Sequence, residues 1–120
     1  MRMLGDDYER RAARWLHDQQ GLSLVARNFC GKTGEIDIIA RDGEHLVFVE
    51  VRARSNPRYA SAAASVDRRK QQRLLRTAHL FLRAHPELAA LPCRFDVITF
   101  DPPQSGTEPG IRWIRGAFTA

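Results

Sequence analysis

"EIDIIARDGEHLVFVEVRAR", residues 35–54, decides how this chain folds. Two apolar runs, 35–41 and 46–52, flank the pair Asp42-Gly43. Runs of that length around an Asp-Gly turn read as antiparallel strands joined in a hairpin. Yet Asp37 sits inside the first run and Glu50 inside the second. Asp is depleted in strands, and a buried carboxylate without a partner is costly.

Two registers fit. A loop from Asp42 to His45 pairs Arg41 with Leu46 and sets Asp37 opposite Glu50; a loop of Asp42-Gly43 alone pairs Asp37 with Phe48 and makes Glu50 the diagonal neighbour. In both, alternation of side chains puts the two acids on one face, with Ile36, Ile38, Ala40, Val47, Val49 and Val51 on the other. Opposed Cβ atoms lie about 4.5–5.5 Å apart. Like charges that close need a proton, a basic side chain or a metal ion between them. Mg²⁺ or Mn²⁺ suits an all-oxygen site of one or two carboxylates, and no His/Cys set suited to zinc is present.

Arg52, two residues after Glu50, shares its face. Asp37 followed by Glu50-Val51-Arg52 suits phosphodiester hydrolysis: a cation held by the acids polarises phosphate and activates water, and the guanidinium steadies transition-state charge. The competing reading is a salt-bridged hairpin, Glu50 with Arg52 or Arg54.

The rest of the chain supplies a setting. Residues 1–120 make one domain by length. Tyr8, Ala12, Trp15 and Leu16 fall on one face of a first helix, with Asp6 as N-cap, Glu9 three residues on, and Gly21 as the stop. Strands are expected over 22–29, 93–100 and 111–118, the last at an edge. A second helix is expected from Val66 to about Ala84, capped by Ser65 and ended by His85-Pro86, with Leu74, Ala78, Phe81, Leu82 and His85 on its buried face. The order helix, three strands, helix, two strands implies an α/β fold with a central mixed sheet flanked by helices.

The formal charge is +5, which points to an anionic partner, nucleic acid ahead of a membrane surface. The charge is concentrated: between Val51 and Arg76 eight Arg and Lys stand against one acid, Asp67. Such a row is either a solvated face or a phosphate track beside the acids. Cys30 and Cys93 make no disulfide framework, and neither a signal region nor a membrane-length apolar stretch is present. A soluble cytoplasmic protein is expected.

The motifs "RNF", "GEIDIIARDG", "LVFVEVRAR", "AAASV", Lys70-Gln-Gln-Arg-Leu-Leu and "CRFDVITF" resemble those of the PD-(D/E)xK nuclease superfamily. More closely, the chain resembles the YraN-like uncharacterised bacterial family, related to archaeal Holliday junction resolvases; the resemblance runs from about Gly5 to Phe118. It implies a restriction-endonuclease-like fold and a metal-dependent endonuclease acting on branched or structured DNA. It assigns Asp37, Glu50 and the Val51 carbonyl as ligands of Mg²⁺ or Mn²⁺, with Glu9 helping in resolvase-like members. Arg54, Arg58, Arg69, Lys70 and Arg73 would hold the DNA backbone, and a homodimer would suit a symmetric junction.

The departure is Arg52, where the superfamily pattern has Lys. Arg stays charged, so it can orient phosphate or water but cannot lose a proton. Lys70 is then either the missing ammonium, if its helix packs beside the hairpin, or a phosphate contact or solvated residue. The alternative function is a non-catalytic nucleic-acid-binding module. Glu35 is expected as a solvated strand start or outer acid, Asp96 as the partner of an arginine such as Arg94, and Trp15 and Trp113 as packing residues.

Overall fold

Alternating apolar side chains build five strands, and two amphipathic helices cover their two faces. The computed structural model describes residues 2–53, 66–100 and 110–118, with side chains from Asp7 onward. Helix α1 (Arg2–Asp18) leads into strands β1 (Ser23–Gly31), β2 (Gly34–Asp42) and β3 (His45–Ala53). Helix α2 (Arg68–Ala84) and a 3₁₀ turn (Pro86–Leu88) precede β4 (Cys93–Phe100) and β5 (Ile111–Phe118). The sheet order follows the sequence, β1 to β5, and every neighbouring pair is antiparallel except β3–β4. The expected α/β class and mixed sheet are therefore correct, with β5 at an edge.

The hairpin takes the first of the two registers, Arg41 against Leu46, and closes one pair further, at Asp42 and His45. Gly43 supplies the positive φ of 60° that the two-residue turn needs.

Helix α1 packs Ala12, Ala13 and Leu16 onto Ile38, Ala40, Val47, Val49, Ile98 and Phe100. Helix α2 packs Leu74, Ala78 and Phe81 onto the other face, over Ile36, Ile39, Leu46, Phe48, Phe95 and Val97. Phe81 is the hub there, meeting Phe29, Phe48 and His85 with ring centroids 5.2, 6.2 and 4.1 Å away. Among the described residues no helix is long and apolar enough to cross a membrane.

Three local expectations need correction. Helix α1 begins at Arg2, so Asp6 is not its N-cap and Glu9 belongs to no capping box; Met and Leu at the start are good helix formers, and nothing there stops the helix. Helix α2 is capped by Asp67, whose carboxylate accepts from Lys70 N–H at 2.8 Å, rather than by Ser65, which lies outside the described residues. Finally, Ile36 packs beneath α2, while Ile38 packs beneath α1.

That last difference has a local cause. Strict period two would put Ile36 and Ile38 on one face, and likewise Arg27 and Phe29. Instead Arg27 reaches Glu9 on α1, while Phe29 meets Phe81 on α2. Between them Asn28 has φ 54°, in the left-handed region, and the β1–β2 register sets it opposite Asp37. One residue in each strand thus absorbs a half-turn, and the side chains beyond it exchange faces. Asn tolerates this conformation far better than a β-branched residue does. Asn28→Val is expected to cost about 1–2 kcal/mol and Asn28→Gly almost nothing, read by urea denaturation; equal losses would mean the kink is not what Asn28 provides.

Candidate functional site

The kink creates the site. Pairing between β2 and β3 stops at Ile38 and Val49, one residue short of Asp37 and Glu50. The Val51 N–H, left without a strand partner on that side, donates instead to Asp37 Oδ2 at 2.8 Å. The Asp37 carboxylate therefore lies in the seam between the strands, not on one face with Glu50 as the sequence led us to expect. In antiparallel pairing a residue's N–H and C=O turn to the same neighbour, so the Val51 carbonyl faces this seam too.

From the seam Asp37 is reached from both sides. Glu9 comes from α1, and Glu50 points to the α2 side, where Lys70 Nζ lies 3.6 Å from Glu50 Oε2. Arg52 Nε approaches the same oxygen at 3.2 Å. Arg27 Nη2 stands 3.9 Å from Glu9 Oε1. Asp37 and Glu50 are 8% and 6% exposed, so their charges have little help from water.

Burial, then the neighbouring Asp37 charge, push the Glu50 carboxyl up to about 7, against the pull of Lys70 and Arg52. Glu9 also rises to about 7, through burial, then Asp37 by charge and hydrogen bond, then Glu35, opposed by Arg27. In both groups burial is the larger cause and crowding by Asp37 the second, and the nearby Arg27, Lys70 and Arg52 only partly offset them. Among the described residues Glu50 Oε1 is buried without a hydrogen-bond partner, although buried acceptors normally find one.

A pH dependence follows. Folded Glu9 and Glu50 hold protons up to about 7, whereas the unfolded groups release them near 4.5. Between those values the folded state binds more protons, so unfolding free energy falls as pH rises through that window. The metal-free protein should melt at higher temperature at pH 5 than at pH 8, and Glu9→Gln/Glu50→Gln should flatten that profile. A rise in melting temperature toward pH 8 would refute it.

The donor set fits a hard divalent cation in part. Among the described residues no three His, Cys, Asp or Glu side chains already stand around one point as a closed metal site. Mg²⁺ and its analogues do not require one, since they keep several waters and use one or two carboxylates with substrate phosphate. Asp37, Glu50 with its unpartnered Oε1, and the Val51 carbonyl are the groups that would hold the ion; Glu9 stands beside Asp37.

The remaining candidates divide clearly. Lys70 turns toward Glu50, so its helix does pack beside the hairpin. Arg69 and Arg73 are exposed on α2; Arg54 and Arg58 lie outside the described residues. Glu35 is exposed, accepts a 3.5 Å bond from Cys30 Sγ, and acts on Glu9 by charge. Asp96 is structural: it accepts from Arg94 Nε at 3.1 Å, Trp113 Nε1 at 2.9 Å and Gly116 N at 2.9 Å. Trp15 packs edge-on against Trp113, centroids 5.7 Å apart.

Sequence reasoning missed Arg27, the Asp42–Arg94 pair at 2.7 Å and the buried Thr99 hydroxyl, which has no hydrogen-bond partner among the described residues. The one signal for the seam was Asn28 within an otherwise strand-forming run.

A mixed five-stranded sheet between two helices, with carboxylates gathered where two strands part, defines an α/β protein with an acidic seam. The sequence model of the uncharacterised protein family UPF0102 matches residues 8–100, and the chain belongs to that family. It is 54% identical over 109 residues to a UPF0102 protein of Xanthomonas oryzae pv. oryzae (strain PXO99A), covering 91% of this chain and 86% of the relative. It is 51% identical over 114 residues to one of Alcanivorax borkumensis (95% and 90% covered), and 45% over 115 residues to one of Enterobacter sp. (strain 638), covering 95% and 82%.

Proposed function

We propose that this protein is a divalent-metal-dependent DNA endonuclease of restriction-endonuclease-like fold, acting on branched or structured DNA as Holliday junction resolvases do. The observation that carries the reading is Glu50 Oε1, buried beside Asp37 with no hydrogen-bond partner among the described residues, on a carboxyl that burial and the Asp37 charge push up to about 7. Mg²⁺ or Mn²⁺ held there by Asp37, Glu50 and the Val51 carbonyl would supply Lewis-acid polarisation of the phosphate and a more acidic water.

The protein's own groups do the rest. Asp37, fixed by the Val51 N–H, holds its position in the seam. Arg52 fixes Glu50. Arg69 and Arg73, with Arg54 and Arg58 from the adjoining segment, would grip the backbone, contacts that position DNA without reading its sequence. In hydrolysis the water oxygen bonds to phosphorus, the bond to one sugar oxygen breaks, and that oxygen leaves as an alcohol carrying a proton derived from the water.

A second reading, a nucleic-acid-binding module without chemistry, draws on one observation: the permanently charged Arg52 lies on Glu50. Purified protein incubated with four-way, flapped, single-stranded and duplex DNA in Mg²⁺ and in Mn²⁺ separates the two. Metal-dependent scission of branched DNA supports the nuclease. Salt-sensitive binding with no scission under any condition supports the module.

A further inference from the structure

Among the described residues Glu50 carries two cations on one oxygen and none on the other. Arg52 Nε and Lys70 Nζ both approach Oε2, at 3.2 and 3.6 Å, while Oε1 is buried and unpartnered. The two cations differ in kind. Arg52 comes from the same strand as Glu50. Lys70 comes from the first turn of α2, and its side chain is 29% exposed. Its ammonium is thus on the buried acid and partly open to solvent, and Arg69 and Arg73 lie exposed on the same helix.

The same side of the sheet holds one more unused polar group. Thr99 pairs with Arg52 across β3–β4 and is wholly buried, and its Oγ1 has no hydrogen-bond partner among the described residues. Glu50 and the Lys70 ammonium thus meet on this side, with Thr99 beside Arg52 on the neighbouring strand. Lysine suits movement between two anions, being a compact charge on four rotatable carbons.

We propose that Lys70 holds the scissile phosphate and the attacking water at this site: it rests on Glu50 while no cation is bound, and swings to the phosphate once a cation takes that carboxylate. The proposal rests on the nuclease reading. It assigns Arg52 to anchoring Glu50, so the ammonium acting on substrate comes from α2 and not from the strand. Lys70 acts by charge and position, and no proton leaves it.

The idea carries an unusual sign. A cation resting on Glu50 competes with a divalent ion, so removing it should tighten metal binding even as it slows the reaction. Two unit charges about 4 Å apart repel by roughly 1 kcal/mol even in bulk water, about a fivefold change in affinity. Lys70→Met, which keeps an apolar stem, should bind Mn²⁺ about fivefold more tightly by calorimetry on the full chain without DNA. Its kcat on branched DNA should fall about 100-fold, the order seen when one transition-state donor is removed, with KM changed little. Lys70→Arg should recover a substantial part of kcat, because the charge is restored and no proton transfer is asked of it.

Unchanged Mn²⁺ affinity and unchanged kcat in Lys70→Met would overturn the proposal and leave the nuclease reading standing. Weaker Mn²⁺ binding would overturn it too, by making Lys70 a structural prop. A wild type that neither takes up Mn²⁺ nor cuts removes the nuclease reading and this proposal together.

Discussion

Asp37→Asn is expected to stabilise the metal-free protein and to abolish cleavage at once. The substitution keeps an oxygen for the Val51 N–H, which now donates to Asp37 Oδ2 at 2.8 Å, so the seam retains its tie. It removes the charge that ranks second among the causes raising Glu50 to about 7. Relief of part of that shift stabilises the fold at pH 8 by about 1 kcal/mol, since one pKa unit corresponds to about 1.4 kcal/mol. For a domain of this size that is roughly 4 °C in melting temperature. The same charge is what would hold the divalent ion, and its loss should lower kcat by about 1,000-fold or more, the several kcal/mol expected of a bound metal. Glu50→Gln should act in the same direction on both measures. Thermal melts in EDTA beside cleavage in Mn²⁺ give the pair of readings. A variant that cuts DNA at the wild-type rate would end the assignment of Asp37 as a metal ligand.

The stretches legible from sequence were those with a single strong period. Cys93–Phe100 and Ile111–Phe118 form strands at the expected bounds, because alternation or an unbroken apolar run leaves few other structures. The hairpin register was narrowed to two choices by its turn. What period alone could not reveal was where the period breaks. Asn28 in the left-handed region, opposite Asp37, reverses the faces of β1 and β2, and no count of apolar residues registers a single φ.

The site was legible by residue type and not by geometry. Paired acids in an apolar hairpin were conspicuous because their cost had to be met. Glu9 carried no such signal: an acid on an amphipathic helix is ordinary, and its proximity to Asp37 depends on how α1 crosses the sheet. The reach of Lys70 to Glu50 similarly depends on the packing of α2, which only the folded chain fixes. The start of α1 was misplaced because Asp6 offered an attractive cap, while the preceding residues had no reason to leave the helix.

The other large effect expected lies away from the seam, at Asp96. This carboxylate is 1% exposed, and it meets Arg94 Nε at 3.1 Å, the Trp113 indole N–H at 2.9 Å and the Gly116 backbone N–H at 2.9 Å. The β4–β5 register shifts between Phe95 and Val97, and Gly116 has φ 59°. Asp96 thus fills the gap that an irregular edge strand leaves in the ladder. Arg94 also bonds Asp42 Oδ2 at 2.7 Å, linking the hairpin turn to the same network. Asp96→Leu would leave the Arg94 Nε–H, the Trp113 indole N–H and the Gly116 N–H without their acceptor while Asp42 still holds Arg94 Nη2, and at about 1–3 kcal/mol for each buried unmet donor the loss is about 3–5 kcal/mol. That is a large share of the 5–15 kcal/mol that holds a domain together. The double variant Arg94→Met/Asp96→Leu should lose less than the sum of the two single variants, because the Arg94 Nε–Asp96 bond can be lost only once. Urea denaturation of the two single variants and the double one measures that coupling. Mn²⁺ affinity of whatever fraction stays folded should match wild type, as Asp96 takes no part in the seam. Additive losses would show that Arg94 and Asp96 do not act as a pair, and a specific loss of Mn²⁺ binding would move Asp96 from the scaffold into the metal site.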